Sequence, residues 1–421
     1  MLRVLFILMF FTACVPMGNL SNSSNENNLL QDAAFVTNIK TILLYPQTNE
    51  PQSVLLPPAA PLTTQNLILA FDDLVEQFNH YTIKITHCNA DWTKSGLANL
   101  DFLYEYNSFP IQTYSFSADT HIPYIHYSIK IPKVKLAGNY VVTVYRDDEY
   151  PVLSKRFYIY QQMIQVAERR DISAAQQLGN KQPISIKLNY QSLPIINSND
   201  QFVVTLRQNQ RWDNIIYNLT PTIIREQEKS IEYLVTDEKE MHSGGNEYRF
   251  IDLRTIINTG QNISKIDRST IPYVAHSGLD INRNTDRYSQ YLDFNGNFVI
   301  QNFDSPLTFS ENYVKTRLYL KASLPNNARV YVIGAFNQDI ATKDKTMRYD
   351  SLNGVYTQEF LLKQGWYNYQ YKALDGNGKS INLEGEHFET ENEYEVMVYY
   401  RSMQAQADIL AGYLRINRNK R

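Results

Sequence analysis

Cysteine is almost absent from this chain, which has two among its 421 residues, Cys14 and Cys88. So few cysteines exclude a disulfide-rich scaffold. Glycine and proline are also scarce, with 16 of each. The formal net charge of −3 provides no electrostatic argument for nucleic-acid binding, which needs a basic face. Folding must therefore depend on hydrophobic cores, and 43% of the residues are hydrophobic.

Aromatic residues are abundant by contrast, with 31 tyrosines and 19 phenylalanines. Aromatic and β-branched residues favour strands over helices. Alternation of apolar and polar residues at the strand period recurs along the chain, as in "YTIKIT" (81–86) and "NYVVTVYR" (139–146). No long run has helical periodicity. The pattern predicts an all-β protein of three consecutive immunoglobulin-like β-sandwich domains.

The predicted domains follow the breaks in this strand pattern. A signal peptide occupies residues 1–13, and a polar tether of low complexity occupies residues 14–34. The three sandwiches are expected at residues 35–162, 163–304 and 305–421. The last segment, "QADILAGYLRIN", is predicted to be either a short helix or a terminal strand.

The amino terminus has the features of an export signal. Arg3 precedes a short apolar run, Val4–Ala13, which is too short to span a bilayer as a permanent helix. "FTAC" resembles a bacterial lipobox, although Phe11 stands where leucine is usual. The sequence therefore predicts that Cys14 is lipidated. The alternative is an ordinary cleaved signal peptide whose removal takes Cys14 with it.

The stretch "THCNADW" (86–92) places a histidine, a cysteine and an aspartate within five positions. If the preceding strand continues, His87 and Cys88 lie on opposite faces, and no second cysteine or paired histidine stands at ligand spacing. We therefore interpret the stretch as the end of a strand, followed by a turn and an anchoring Trp92. Cys88 is expected to be a small buried hydrophobic residue.

Other candidates for chemistry are equally weak. The carboxylates of Asp72 and Asp73 are adjacent on an extended backbone and should diverge. "DFNGN" (293–297) lacks the spaced acidic ligands of a calcium loop and is predicted to be a tight turn. The sequence contains no phosphate-binding loop, dinucleotide fingerprint or nucleophile elbow. We predict no catalytic, metal-binding or cofactor-binding residues, and we do not expect an enzyme.

Two carboxy-terminal segments, "GWYNYQYKAL" (365–374) and "VMVYYR" (396–401), have aromatic residues on both faces of their expected strands. Such a surplus suits glycan stacking or a protein interface. The alternative is that these side chains line two cores and the domain junctions.

Residues 313–372 resemble the sugar-binding β-sandwich modules that accompany starch and glycogen enzymes. The shared pattern is "VYVIGAFN", "MRYDSLNGVY" and "FLLKQGWYNYQY". In that family a tryptophan that stacks on the sugar normally follows "GAFN", whereas here Gln338, Asp339 and Ile340 follow. This resemblance supports the fold and leaves a glycan-binding accessory lipoprotein as the alternative function.

A second resemblance covers nearly the whole chain after the tether. "IKTILLYP", "YTIKITHCNADW" and "LAGNYVVTVYRDDEYPVLSKRFYIY" resemble the first domain of the type IX secretion system plug protein family. "NEYRFIDLRTI", "YLDFNGNFVI" and "HFETENEYEVMVYYR" resemble later segments of that family in the same order.

The second resemblance implies an exported protein of Bacteroidota without catalytic residues. Its implied partner is the large outer-membrane β-barrel translocon of the secretion system, whose periplasmic opening the plug occludes. The segment "VPMGNLSNSS" after Cys14 lacks an acidic surface-export run. We therefore expect the periplasmic face of the outer membrane, with a lipid anchor at Cys14 as the membrane contact; a soluble periplasmic protein is the alternative.

Overall fold

The computed structural model describes residues 28–50, 52–169, 179–195, 198–235, 237–338, 345–401 and 406–420. The expected signal peptide, Cys14 and the first part of the tether lie outside the described residues. The described chain is built from strands in several antiparallel sheets, which confirms the predicted all-β, multi-domain sandwich class. Its helices are short, among them the α-helices Asn99–Phe102 and Ser198–Gln201 and the 3-10 turns Ser53–Leu55, Glu238–Glu240 and Ala335–Asn337. None of the helices seen in the described ranges is long and apolar enough to cross a bilayer.

The strands are numbered in chain order. The first ten are β1 (Ala33–Ala34), β2 (Ile39–Pro46), β3 (Ala59–Pro61), β4 (Leu67–Asp73), β5 (Tyr81–Cys88), β6 (Phe109–Pro110), β7 (Thr113–Phe116), β8 (Ile125–Lys130), β9 (Gly138–Arg146) and β10 (Tyr150–Tyr160). The next ten are β11 (Gln165–Arg169), β12 (Lys181–Gln182), β13 (Ser185–Asn189), β14 (Phe202–Gln208), β15 (Ile223–Arg225), β16 (Ser230–Tyr233), β17 (His242–Ser243), β18 (Arg249–Asp252), β19 (Ile263–Asp267) and β20 (Val274–Ile281). The last nine are β21 (Phe298–Ile300), β22 (Tyr313–Lys321), β23 (Arg329–Ile333), β24 (Arg348–Asp350), β25 (Val355–Lys363), β26 (Gly365–Leu374), β27 (Ser380–Ile381), β28 (Asn392–Tyr400) and β29 (Ile409–Arg418).

Strands β1 to β10 form the first sandwich. One sheet has the order β1-β10-β9-β5-β6, with β3 added in parallel to β10, and the other has the order β2-β4-β8-β7. The alternation in β5 explains its place, because Tyr81, Ile83 and Ile85 are buried in the core between the two sheets while the residues between them are partly exposed.

The second sandwich includes the end of the chain. One of its sheets has the order β11-β13-β16-β15, and the other has the order β14-β28-β29. Strand β14 pairs with β28 from Phe202 opposite Tyr400 to Gln208 opposite Tyr394. Val396 and Val398 of β28 therefore lie in the same core as Val204 of β14.

The third sandwich is built from β18 to β27, between the two parts of the second. Its five-stranded sheet β19-β20-β22-β25-β24 contains one parallel pair, β20 with β22. Strand β26 is central to the other sheet and pairs with β18, β21, β23 and β27. The core between them is rich in tyrosine, including Tyr367, Tyr369 and Tyr371.

The domains expected at residues 163–304 and 305–421 do not coincide with this pairing. Strands β18 to β21, which lie before residue 304, pair with strands that follow it, and β28 and β29 complete the second sandwich. The third sandwich thus interrupts the second in sequence. Strand periodicity locates individual strands but does not say which distant strand is the partner. The last segment is a strand, β29, and not a helix.

Candidate protein-binding surface and buried junctions

The stretch "THCNADW" ends a strand, as its sequence predicted. Strand β5 ends at Cys88, and a tight turn follows in which the Trp92 N–H donates to the Asn89 carbonyl oxygen at 2.9 Å. The Asn89 N–H donates to the Thr93 carbonyl oxygen at 2.8 Å. Trp92 has a φ of 65°, so a bulky residue holds the left-handed conformation at the turn.

His87 and Cys88 point into different environments. The His87 ring packs edge-on against Tyr140, with centroids 4.9 Å apart, and burial lowers its pKa to about 4. Cys88 is fully buried in a separate cluster with Trp92 and Leu410, where burial raises the pKa of its thiol to about 12. A nucleophilic cysteine needs a lowered pKa and some exposure, so this pair has the properties of packing residues.

Trp92 lies in the junction between the first and second sandwiches. Its ring is 5.0 Å from that of Trp212, and the Arg156 guanidinium lies over both rings, at 4.6 and 4.8 Å. The Arg207 guanidinium also lies over this group, 4.2 Å from the Trp212 ring centroid and 5.2 Å from that of Tyr158. Alternating cations and aromatic rings attract each other through the ring quadrupole, so this junction is held by more than hydrophobic contact.

Arg207 and Glu395 form a buried ion pair beside this group. Both side chains are 1% exposed, and Arg207 Nη2 lies 2.6 Å from Glu395 Oε2. Burial disfavours the charge on Arg207, but the adjacent carboxylate outweighs it, so the pKa of Arg207 is raised. The Tyr413 hydroxyl donates to the other oxygen of Glu395 at 2.7 Å. Residues from β14, β28 and β29 therefore satisfy both charges.

A second buried polar cluster joins the first sandwich to the third and is centred on Asp72, which is fully buried. Asp72 accepts hydrogen bonds from His126 Nδ1 at 2.7 Å, the Tyr313 hydroxyl at 2.8 Å and Lys363 Nζ at 2.7 Å. Lys363 is also 3.7 Å from Glu311, whose carboxylate accepts from the first sandwich. Burial opposes ionisation of Asp72, but the contacts with His126 and Lys363 lower its pKa. Sequence analysis missed this cluster because its members are far apart in the chain.

Asp73 diverges from Asp72, as expected for neighbours on a strand. It binds within the first sandwich instead, where it accepts from the Asn38 side chain, from Asn79 at 2.8 Å and from the Tyr81 hydroxyl at 2.8 Å. The two adjacent carboxylates therefore have different locations: Asp73 binds within the first sandwich, and Asp72 binds in the junction between the first and third sandwiches.

No group of three or more histidine, cysteine, aspartate or glutamate side chains capable of holding a metal ion occurs among the described residues. "DFNGN" forms the predicted tight turn, with Asn295 and Gly296 at positive φ. Asp293 closes it by accepting from the Asn295 N–H at 2.7 Å and from the Tyr248 N–H. Burial, with nearby Glu247 and Glu391, raises the pKa of Asp293 to about 7.

The surplus tyrosines of "GWYNYQYKAL" and "VMVYYR" are buried. Strand β28 has both faces covered, because one faces the second core and the other packs Met397 and Tyr399 against the first sandwich. Of the two interpretations left open by the sequence, the lining of cores and junctions is confirmed for these segments.

Several exposed tyrosines lie on the first sandwich instead. Tyr104 and Tyr106 are 67% and 86% exposed, and we call these two, with partly exposed Tyr145, the tyrosine surface. Local contacts hold its backbone in place. The amide of Asn107 exchanges hydrogen bonds with the Ile85 backbone at 2.8 Å. The Ser108 hydroxyl donates to Asp148, in the β9–β10 hairpin tip, at 3.3 Å.

Cations accompany this surface. Lys84 Nζ lies 4.7 Å from the Tyr145 ring centroid, and Lys135 Nζ lies 5.5 Å from that of Tyr104. Exposed aromatic side chains on an anchored backbone are typical of protein-binding surfaces, since little entropy is lost when they are covered.

The sequence directly after "GAFN" in the third sandwich has no tryptophan of the kind that stacks on sugar in the starch-binding modules. After β23, "GAFN" forms the 3-10 turn Ala335–Asn337, and Gln338 follows at a φ of 67°. The positions after Gln338 lie outside the described residues until Lys345. Trp366, in "GWYNYQYKAL", stacks on Phe250 at 4.3 Å and on the Arg254 guanidinium at 4.9 Å, so its ring is occupied within the protein.

The fold places this chain in the class of multi-domain β-sandwich proteins. Residues 39–161 match the family model described as the type 9 secretion system plug protein 1st domain, which confirms the plug-family resemblance. No curated protein matches the chain.

Among solved structures, the chain is similar to a crystal structure of a hypothetical protein from Parabacteroides merdae ATCC 43184. The TM-score is 0.85 at 25% identity, over 92% of this chain and 99% of that chain. The arrangement of all three sandwiches therefore has a counterpart in an experimental structure.

Proposed function

We propose that this protein is a non-enzymatic component of the type IX secretion system that binds and occludes the periplasmic opening of the outer-membrane translocon barrel. The observation that carries the proposal is the match of residues 39–161 to the first domain of the plug family. The tyrosine surface lies entirely within this matched segment. The matched domain therefore also offers a surface suited to a protein partner.

The physical requirements of a plug agree with the architecture. A wide barrel leaves an aqueous opening across a barrier membrane, and a folded body must fill it. The buried cluster around Asp72 joins the first sandwich to the third, and the packing of Trp92 and Arg156 on Trp212 joins the first to the second. A plug must also leave when cargo is loaded, which favours an interface of moderate affinity.

The location that suits this role is the periplasmic face of the outer membrane. Lipid on Cys14 would confine the protein to that surface and raise its effective concentration near the barrel. A fatty-acid probe fed to cells should label the wild-type protein and should not label Cys14→Ser. A soluble periplasmic form would show no label in either.

The function is tested by measuring outer-membrane permeability in cells that lack the protein. Deletion should admit a dye or a bulky antibiotic that the intact outer membrane excludes, because the seal is lost while the translocon stays. A second strain that lacks both this protein and the translocon barrel is the control and should exclude the dye again. If the single deletion stays impermeable, or both strains leak equally, the occlusion role is wrong.

A glycan-binding accessory lipoprotein is the alternative that the third sandwich raises. Capture of the tagged protein from native outer membranes separates the two roles, since a plug should bring down a giant barrel and a glycan-binding accessory protein should bring down polysaccharide-uptake proteins.

A further inference from the structure

A cleft of about 510 Å³ lies between the first and third sandwiches, apart from the tyrosine surface. Strand β2 forms one wall, with Lys40 and Thr41, and the third sandwich forms the other, with Lys345, Gln358 and Phe360. Clefts of this size at domain boundaries are the usual location of small-molecule sites.

Four lysines line the cleft, and they differ in their partners. Lys155 forms an ion pair with Asp32, and Lys363 forms its pair with Asp72. Lys40 and Lys345, in contrast, have no carboxylate partner among the described residues, and Lys345 Nζ donates only to the Asn337 carbonyl oxygen, at 3.3 Å.

Both unpaired ammonium groups are partly buried. Burial lowers the pKa of Lys40, and burial followed by repulsion from Lys40 lowers the pKa of Lys345. Two like charges kept together partly out of water, with no carboxylate partner in the described ranges, destabilise the folded state. An anion between them would remove this cost.

The remaining lining adds a hydrogen-bond acceptor and an apolar wall. Gln358 Nε2 donates to the Lys345 carbonyl oxygen at 3.0 Å, and its Oε1 is buried with no partner in the part of the chain that the structure describes. The Phe336 ring packs edge-on against Phe360 at 5.3 Å and against Tyr367 at 5.6 Å. A bound molecule would therefore meet cations, an acceptor and aromatic carbon together.

The backbone beside Lys40 is unusual as well. A β-bulge interrupts the pairing of β2 with β4 between Lys40 and Leu43, and Thr41 within it has a φ of 49°. Positive φ is strained for a β-branched residue, and such bulges re-aim side chains beside functional sites. The Thr41 hydroxyl lies 2.6 Å from that of Tyr313, which fixes the bulge against the third sandwich.

We propose that this cleft binds an organic anion, a small molecule with a phosphate or carboxylate group and an apolar body. The anionic group of the ligand lies between Lys40 and Lys345. A hydrogen-bond donor of the same molecule donates to Gln358 Oε1, and its apolar body packs on Phe336 and Phe360. Because the ligand contacts both sandwiches, its binding stabilises their junction.

The test uses the purified mature protein with phenyl phosphate, benzoate and inorganic phosphate as probes and phenol as the neutral match of the first. Calorimetric titration and thermal melting are recorded for the wild type and for Lys40→Gln, Lys345→Gln and Lys321→Gln. Lys321 is exposed at the end of β22 and outside the cleft, so its variant is the control.

We expect saturable binding of at least one anionic probe but not of phenol, and about tenfold to hundredfold weaker binding in Lys40→Gln and Lys345→Gln. Phenyl phosphate and benzoate separate a phosphate ligand from a carboxylate ligand. Without a probe, removal of Lys40's charge should raise Tm, whereas loss of a merely structural residue would lower it. No saturable binding of any anionic probe, equal binding by all variants, or a lowered Tm for Lys40→Gln would overturn the proposal.

Discussion

Cys88 provides the first prediction, that its thiol is structural. In a chain without residues 1–14 it is the sole cysteine, and burial with a raised pKa should prevent reaction with Ellman's reagent in the folded state. The same chain unfolded in urea should react fully. Cys88→Ala should lower the free energy of unfolding by about 1 to 3 kcal/mol and leave partner binding unchanged. Rapid reaction of the native thiol would contradict this.

His242 provides a prediction on pH. It is buried, its Nε2 lies 2.7 Å from the Asn214 carbonyl oxygen, and burial lowers its pKa to about 4. Its neutral form is the one that the fold accepts, so stability is lost as pH falls from the unfolded pKa near 6.5 toward 4. Between pH 7 and pH 5 the loss is about 2 kcal/mol for such a shift.

His242→Gln isolates this term, since glutamine can keep the hydrogen bond but does not titrate. Urea unfolding at pH 7 and pH 5 should show the variant gaining about 2 kcal/mol relative to the wild type on acidification. Asp293, whose raised pKa favours folding at lower pH, contributes equally to both proteins and cancels in the difference. If the difference in unfolding free energy between His242→Gln and the wild type is the same at both pH values, the assignment is wrong.

The local pattern of the sequence was sufficient to orient some single residues. The alternation in β5 placed His87 and Cys88 on opposite faces, and the adjacency of Asp72 and Asp73 separated their carboxylates. The partners of Asp72 could not be predicted in this way, because Tyr313 and Lys363 reach it only through the packing of one sandwich on another. Local periodicity determines where a side chain points, and tertiary packing determines what it contacts.

At the scale of elements, the strands were predictable and their pairing was not. "EYEVMVYYR" alternates as a strand, but nothing in it indicates that β28 returns to β14 across an intervening sandwich. The aromatic surplus of this segment follows from that return, since a strand between a core and a junction buries both faces. The prediction of a third domain at residues 305–421 assumed that each domain is continuous in the chain. The strand pairing shows that the second sandwich is not, because β28 and β29 pair with β14.

The pairing leads to a prediction on truncation. A chain that ends at residue 390 lacks β28 and β29. Of the three-stranded sheet that covers the second core, only β14 then remains. Amide hydrogen exchange should then show lost protection in β13, β14 and β16, with protection kept in the third sandwich. Removal of residues 1–27, which carries away none of these strands, is the control. Full protection in β14 after truncation would show that the hairpin is dispensable.

The junction between the first and third sandwiches supports a double-mutant cycle. Lys363→Met leaves the buried Asp72 without its cation, and Asp72→Asn leaves Lys363 without its main anion. Each should cost about 3 to 5 kcal/mol of unfolding free energy, and the double variant should cost clearly less than the sum. Unfolding in urea with both intrinsic fluorescence and circular dichroism gives the coupling.

An exposed pair in the same protein is the matched control for that cycle. Arg317 and Glu359 lie 2.8 Å apart on the outer face of the third sandwich, and both are more than one third exposed. Their coupling should be about 0 to 1 kcal/mol because solvent screens them. Equal coupling for the two pairs would mean that the Asp72–Lys363 contact does not hold the junction.

At the scale of the whole molecule, the proposed plug function depends on which surface of the protein is free to bind a partner. The family resemblance predicted the partner class, yet no strand pattern could show which surface is exposed, since that depends on how the three sandwiches cover one another. The tyrosines singled out in the sequence are buried, while Tyr104 and Tyr106 stand in a loop that no periodicity marks. Their exposure is a property of the assembled molecule.

The last prediction assigns partner contact to the tyrosine surface and rests on the proposed plug function. Tyr104→Ala with Tyr106→Ala removes two exposed rings whose backbone is held by Asn107, so the fold should be unaffected and Tm unchanged. If these rings are central contacts, their loss should weaken retention on translocon-containing outer membranes by about tenfold or more, since aromatic anchors carry much of the binding energy in protein interfaces. Tyr349→Ala is the matched control, because Tyr349 is 53% exposed but lies on the third sandwich, outside the matched segment. Retention is measured by co-sedimentation with membranes from strains with and without the barrel. Equal retention of the double variant and the wild type, or an equal loss for Tyr349→Ala, would place the contact elsewhere on the molecule.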